Sequence, residues 1–220
     1  MKVAGADVWK GQWVVVTLDE GRFHEALIAP TIETALGWLP DAVIVGVDMP
    51  IGLPELGQKR PADEQARKFV GPRWNSVFST PSRDLLEAIS HKQANELARA
   101  DGRDGITIQA YGLGALILQV EPLAATDARV YEVHPEVSFV AANADAHLKW
   151  SKTSWNGINL RRRILQRQGI VIPDDLGLTG GAGIADILDA AIAAWSANRI
   201  AAGTAQRMPL GDGRGWTIWR

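Results

Sequence analysis

The sequence predicts an α/β protein with a mixed sheet covered by helices, and three observations support this fold class. Residues 42–47 form an almost continuous apolar run, which is typical of a strand buried on both faces. Three earlier β-rich segments are separated by short turns, which predicts a meander of two hairpins over residues 3–9, 13–18 and 22–29. A helix over residues 32–39, with Thr31 as its N-cap, follows the meander. The predicted element order is therefore β-β-β-α-β.

The remaining pattern predicts a helical insertion at about residues 51–128 within a single domain over residues 1–220. The insertion begins in a proline- and glycine-rich stretch and contains predicted helices over residues 62–69, 83–100 (with Ser82 as N-cap) and 106–120. After it come a strand (residues 129–133), a helix starting at Pro135 (135–143) and a basic helix (158–168). A long helix starting near Gly183 (183–200) and a closing strand (216–219) complete the predicted order.

Composition narrows the functional classes. The chain has 220 residues, of which 46% are hydrophobic and 22% charged, so a sizeable core is available. The net charge is −2, which means that nucleic-acid binding would depend on a local basic patch. Cysteine is absent, which excludes disulfides and thiolate sites. With no signal-peptide pattern and no membrane-spanning run, we expect a cytoplasmic protein; the oligomeric state is open, with a dimer as one alternative.

Acidic residues recur at points where a carboxylate is costly unless it binds something. They lie in the first strand, at the end of the fourth, in the fifth and on one face of the last long helix, where small alanines follow them. Oxygen ligands of this kind suit Mg²⁺ or Mn²⁺, which can activate water and stabilise the leaving oxygen of a phosphodiester. The candidate catalytic and metal-binding residues are Asp7, Asp48, Glu132, Asp186 and Asp189.

This strand order, with acids at these points, resembles the RNase H-like superfamily, and the D-x-x-D spacing of Asp186 and Asp189 resembles its Holliday-junction resolvases. The stretches GVDMP, RPADEQAR, SVFSTPSR, YEVHPE and D-x-x-D-A are similar to an uncharacterised prokaryotic family of predicted RNase H-like nucleases. The resemblance implies a five-stranded sheet with three antiparallel and then two parallel strands. It also implies a metal-dependent nuclease that cleaves DNA or RNA with Asp7, Asp48, Glu132 and Asp186 or Asp189.

Basic residues near these acids have two interpretations. They could form solvated surfaces, or they could hold the phosphates of a nucleic acid. The candidate substrate-binding residues are Arg60, Arg67, Arg73, Lys152 and Arg161, and the basic helix that carries Arg161 is the best local nucleic-acid surface. His134 could shuttle protons, although a histidine before a proline at a helix start is more often a cap.

Two other functions stay open. A small-molecule phosphate-binding or kinase-like protein would need a glycine-rich phosphate loop, for which residues 180–183 (GGAG) are the candidate. A catalytically silent interaction module would keep the acids without using them.

Overall fold

A computed structural model describes residues 1–102, 104–209 and 216–220. Its main sheet has the order β3-β2-β1-β4-β5, with antiparallel pairing among the first three strands and parallel pairing of β1 with β4 and of β4 with β5. This arrangement confirms the predicted fold class. The strands are β1 (Lys2–Trp9), β2 (Gln12–Asp19), β3 (Arg22–Ala29), β4 (Val45–Val47) and β5 (Val130–Glu132).

The two hairpins form because each turn accepts left-handed backbone at two successive residues. Lys10 and Gly11 have φ of 50° and 77°, and Glu20 and Gly21 have φ of 49° and 74°. Paired positive φ values are typical of the two-residue turns whose twist matches that of the flanking strands. The turns therefore fix the register that places Asp7 opposite Val14.

The helices flank this sheet. Their bounds are α1 (Ile32–Trp38), α2 (Pro61–Val70), α3 (Arg83–Leu86), α4 (His91–Ala100), α5 (Ile108–Gly112), α6 (Gly114–Thr126), α7 (Pro135–Ala142), α8 (Trp155–Arg167) and α9 (Ile184–Ala201). A separate two-stranded ribbon pairs β6 (Arg207–Met208) with β7 (Ile218–Trp219). None of these helices is long and apolar enough to cross a membrane.

Several predicted helices differ in their bounds. The helix predicted over residues 83–100 is broken, because Ser90 starts α4 anew by accepting a hydrogen bond from the amide of Gln93 at 3.2 Å. The Ser82 side chain makes no such bond at the start of α3. The helix predicted over residues 106–120 is divided at Leu113 into α5 and α6, and α6 continues to Thr126. Thr31 does cap α1, as predicted.

The strands alternate between two cores, one on each face of the sheet. Ala4, Ala6 and Val47 pack on the face covered by α1 and by the helices of residues 51–128. Val3 and Val14 pack on the other face, against α7, α8 and α9. The face toward which a strand residue points therefore decides which helices it meets.

Candidate functional site

Asp7 and Asp48 lie side by side where β1 and β4 end. The parallel register pairs Ala6 with Val47, and the Asp48 amide donates to the Ala6 carbonyl at 3.0 Å. Both carboxylates are one residue further along, on the face of the sheet that carries Val3 and meets α9. Asp7 is only 7% exposed, and its Oδ1 accepts a hydrogen bond from the Val8 amide at 2.7 Å.

Helix α9 brings Asp189 to this pair because glycines let the helix lie directly on the strands. A Cβ on Gly5 would lie 2.1 Å from the Ala194 nitrogen, and one on Gly46 would lie 2.8 Å from the Ala193 carbonyl oxygen. Only glycine allows so close a backbone approach. As expected from the run of small residues after Asp189, this side of α9 is fully buried.

Burial and neighbouring negative charges raise the proton affinity of the three carboxylates. Burial raises the pKa of Asp7 well above its usual value, and the charges of Asp48 and Asp189 raise it further. Burial, followed by the charge of Asp189, raises the pKa of Asp48 to about 7. Burial also raises the pKa of Asp189. Such mutual repulsion is typical of acids that share a cation site.

One ammonium group partly compensates these charges. Lys152 Nζ lies 2.5 Å from Asp189 Oδ2, while the lysine side chain remains 42% exposed. Burial lowers the pKa of Lys152, but the charges of Asp189, Asp7 and Asp48 outweigh it, and the net pKa is raised. The predicted basic residue Lys152 is therefore a member of the acidic cluster.

The cluster offers the kind of ligand atom that a hard divalent cation prefers. Its ligands would be carboxylate oxygens, which Mg²⁺ and Mn²⁺ prefer. Asp189 Oδ1 is buried and has no hydrogen-bond partner among the described residues, so it can accept a ligand. In the described ranges, no three acidic or histidine side chains already form a metal centre as they stand. The residues fit the ion, but binding requires them to rearrange.

A cavity of about 340 Å³ opens beside the cluster. Its wall includes side chains from α9, from the loop before α8 and from the helical segment at residues 51–128, where Phe78, Gln109 and Leu113 contribute. The volume lies in the range of small-molecule sites. None of residues 180–183 lines it, so the candidate phosphate loop is not part of the cavity wall.

Asp186 lines the cavity but turns toward the start of its own helix. It stands in the first turn of α9, and a Cβ on Gly183 would lie 2.1 Å from Asp186 Oδ2. Its side chain is half-buried, whereas Asp189 is 1% exposed. The two members of the D-x-x-D spacing therefore have different surroundings.

Glu132 lines the same cavity as Asp7, Asp48 and Asp189, but its register places it on the opposite face of the sheet from Asp7 and Asp48. Its register partner is Val47, and the residue beside Asp48 is Val133. A shift of one residue along a strand changes the face. Glu132 Oε2 instead accepts hydrogen bonds from Arg60 Nη2 at 2.6 Å and from the Ile51 amide at 2.7 Å.

Arg60 completes a buried structural network. Its Nη1 donates to Thr80 Oγ1 at 2.9 Å, and Asp63 accepts from the Thr80 amide at 2.7 Å. Burial raises the pKa of Glu132 to about 7, and Arg60 opposes the rise. Segments from RPADEQAR, SVFSTPSR and YEVHPE thus meet here. The Arg60 side chain has no exposed surface, which corrects its prediction as a phosphate contact.

The other basic residues predicted to bind substrate differ in how deeply they are buried. Arg161 is completely buried and donates to Glu136 Oε2 at 2.6 Å, so its predicted contact with nucleic acid is also corrected. Arg67 Nε donates to the Val77 carbonyl at 2.8 Å. Arg73 lines the cavity with 24% of its side chain exposed, and its Nε lies 3.3 Å from Glu136 Oε1. Arg73 and Lys152 are thus the predicted cations that reach the cavity.

Two further residues line the cavity but were not among the site residues predicted from the sequence. Glu136 is 4% exposed and links Arg73 to Arg161, although it was not a predicted site residue. Its position in the first turn of a helix that directly follows β5 was the available signal. His134 makes no side-chain cap bond to α7, and burial lowers its pKa. Its Nδ1 is buried without a hydrogen-bond partner in the described part of the chain.

Comparison with known proteins adds one finding. The chain matches, over residues 5–213, a family described as a protein of unknown function, DUF429. It belongs to the DUF429 family. The matched range includes β1 with Asp7, β4 with Asp48 and α9 with Asp189. No curated protein and no solved structure matches the chain.

Proposed function

We propose that this DUF429 protein is a metal-dependent nuclease of the RNase H-like superfamily, which hydrolyses phosphodiester bonds of DNA or RNA with Mg²⁺ or Mn²⁺. One observation carries the proposal. Asp7, Asp48 and Asp189 meet on one face of the sheet, and Lys152 is the one ammonium group that contacts any of these three carboxylates among the described residues. Buried charge that is not compensated within the protein is costly, and a bound cation removes the cost.

Asp7, Asp48 and Asp189 would hold the ion. A bound divalent ion would supply a water of lowered pKa and would offset charge on the phosphate. Glu132 is not in this ligand set, because it is bound to Arg60 on the other face. Asp186 is a candidate from the wall of the cavity rather than from the cluster.

The cavity's other side chains would bind the substrate and handle the proton. Arg73 and Lys152 reach the cavity with exposed cationic groups, which suits them to phosphate oxygens. His134 is held neutral because burial lowers its pKa, and its unpartnered Nδ1 can accept a proton. Glu136 holds Arg73 toward the cavity through the 3.3 Å contact.

The test combines thermal melts with cleavage assays. MgCl₂ or MnCl₂ should raise the melting temperature of the wild type relative to EDTA, since an ion at about ten times its Kd adds roughly 1.4 kcal/mol. Asp7→Asn should lose this shift and most cleavage of labelled single-stranded, duplex, hybrid and branched DNA and RNA. Asp41→Asn, which neutralises an exposed acid outside the cavity wall, is the matched control. If neither ion changes the melting of the wild type, the metal site is refuted.

A second candidate is hydrolysis of a small phosphate ester on the same acids. The observation that favours it is the cavity of about 340 Å³, whose wall includes Gln109 and Leu113 from the helical segment. An enclosed site of this size suits a nucleotide-sized ligand better than an open groove does. Adding nucleotides and sugar phosphates to the substrate panel distinguishes the two: cleavage of these compounds, with none of polynucleotides, favours the second.

A further inference from the structure

The position of Lys152 carries an inference beyond the cleavage reaction. Its ammonium lies 2.5 Å from Asp189 Oδ2 and interacts with the charges of Asp7 and Asp48 as well. The other oxygen of Asp189, Oδ1, is buried and unpartnered among the described residues. A positive group therefore already lies against the carboxylates to which a divalent ion would bind.

The lysine can leave without a rearrangement of the backbone. Its loop is tied to the start of α8, because Ser154 Oγ donates to the Ser151 carbonyl at 2.8 Å and accepts from the Gly157 amide at 3.1 Å. The side chain itself is 42% exposed and has four rotatable carbon–carbon bonds that end in a compact ammonium. Rotation of the side chain alone can therefore release Asp189.

We propose that Lys152 is a tethered cation of this site: its ammonium stabilises the three carboxylates in the metal-free protein, and a divalent ion binds by displacing it. The inference rests on the metal site of the proposed function and adds a competitor to it. The ammonium and the ion are both positive and would interact with the same three carboxylates, so each weakens the binding of the other whichever oxygen of Asp189 the ion takes. Displacement also makes the ammonium available to the phosphate contact proposed above.

Metal titrations of matched variants test the competition. We expect Lys152→Gln to melt at a lower temperature than wild type in EDTA and to bind Mg²⁺ about tenfold more tightly, because a charge-assisted hydrogen bond no longer has to be broken. Calorimetric titration with MgCl₂, without nucleic acid, measures the Kd. Lys149→Gln is the control, since Lys149 packs over the Trp150 ring at 4.9 Å, and its Kd should equal that of the wild type.

A Kd for Lys152→Gln that is equal to the wild-type value, or weaker, would overturn the proposal. So would the absence of Mg²⁺ binding in both proteins, because the cluster would then not take the ion at all.

A second measurement needs no variant, in case Lys152→Gln does not fold. Acetylation of the wild-type protein by an N-hydroxysuccinimide ester, followed by peptide mass spectrometry, reports how available each lysine is. Saturating Mg²⁺ should increase the acetylation rate of Lys152 several-fold relative to EDTA and leave Lys149 unchanged. A Lys152 rate that is unchanged or reduced by Mg²⁺ contradicts displacement.

The outcome is separable from that of the proposed function. If Lys152→Gln binds Mg²⁺ more tightly while no substrate is cleaved, the nuclease proposal fails and the tethered cation stands. If substrate is cleaved but the Mg²⁺ affinity does not depend on Lys152, the tethered cation fails and the nuclease stands.

Discussion

Near the carboxyl ends of the parallel strands, the two faces of the main sheet carry two acidic groups that differ in how many donors surround their carboxylates. On the face of residues 51–128, Glu132 and Asp63 are enclosed by Arg60, by Thr80 and by the Ile51 amide. On the α9 face, three carboxylates have one cationic partner in contact, Lys152, and one oxygen of Asp189 has no partner among the described residues. The carboxylates of the first group are matched by donors within the protein, although Arg60 Nε has no hydrogen-bond partner among the described residues, whereas the second group retains unmet negative charge.

The difference shows how to distinguish a carboxylate that is held by donors within the protein from one that is available to bind a ligand. Asp7, Asp189 and Glu132 are buried and Asp48 is half-buried, yet burial raises the pKa of both Glu132 and Asp48 to about 7. Neither burial nor proton affinity distinguishes them. The distinction comes from the count of donors around each carboxylate, because a buried charge with donors needs no ligand and one without donors does.

The largest expected effect is at the satisfied group. Arg60→Met should lower the free energy of unfolding by about 3–5 kcal/mol, because it leaves the buried Glu132 without its cation. Urea denaturation measures the loss, and the double variant with Glu132→Gln should recover part of it. Arg83→Met is the control, because its pairing with Glu87 is half-exposed and should cost less than about 1 kcal/mol. Equal losses in Arg60→Met and Arg83→Met would break the comparison.

At the cluster of Asp7, Asp48 and Asp189, we expect removal of a charge to raise the free energy of unfolding rather than lower it. The folded-state pKa of Asp48 is raised to about 7, so its contribution to stability is present below about pH 4 and is lost as the pH rises toward 7. Asp48→Asn removes this loss, so we expect the metal-free variant to be more stable than wild type by about 1–2 kcal/mol at pH 8 and by little at pH 4. Urea denaturation in EDTA at both pH values measures this.

The same variant also tests the metal. Addition of MgCl₂ at pH 8 should stabilise Asp48→Asn less than it stabilises the wild type. An Asp48→Asn protein that is less stable than wild type at pH 8 in EDTA would show that the carboxylate is satisfied in the folded state after all.

The smallest expected effect is at Asp186, which separates the two members of the D-x-x-D spacing. Asp186 stands in the first turn of α9, where a negative charge complements the helix dipole. Burial raises the pKa of Asp186 and opposes this benefit, so Asp186→Asn should change the free energy of unfolding in EDTA by less than about 1 kcal/mol. Thermal melts should show an Mg²⁺ response like that of the wild type. A lost Mg²⁺ response would move Asp186 from the wall of the cavity into the ligand set.

Much of this arrangement could be read from the sequence. The apolar runs that contain Asp7 and that end at Asp48 predicted two strands, and the parallel pairing of β1 with β4 brings the two residues together at one end of the sheet. The alanines after Asp189 predicted a closely packed helix, which Gly5 and Gly46 make possible. The predicted mixed sheet of five strands is confirmed, and its hairpins could be predicted because turn residues and hydrophobic runs are local signals.

The sequence by itself determined the order of the elements and the presence of one acid within β1 and another directly after β4. Only the tertiary structure decided that Glu132 points away from them, because a one-residue register difference in a three-residue strand has no signature in a local pattern. It also decided that Arg60 and Arg161 are buried and that Lys152 meets Asp189. These pairings join residues 37 and 72 positions apart for Lys152–Asp189 and Arg60–Glu132. The partner of a charged side chain is decided only in the folded chain, because the free energy of the charge depends on the groups that surround it.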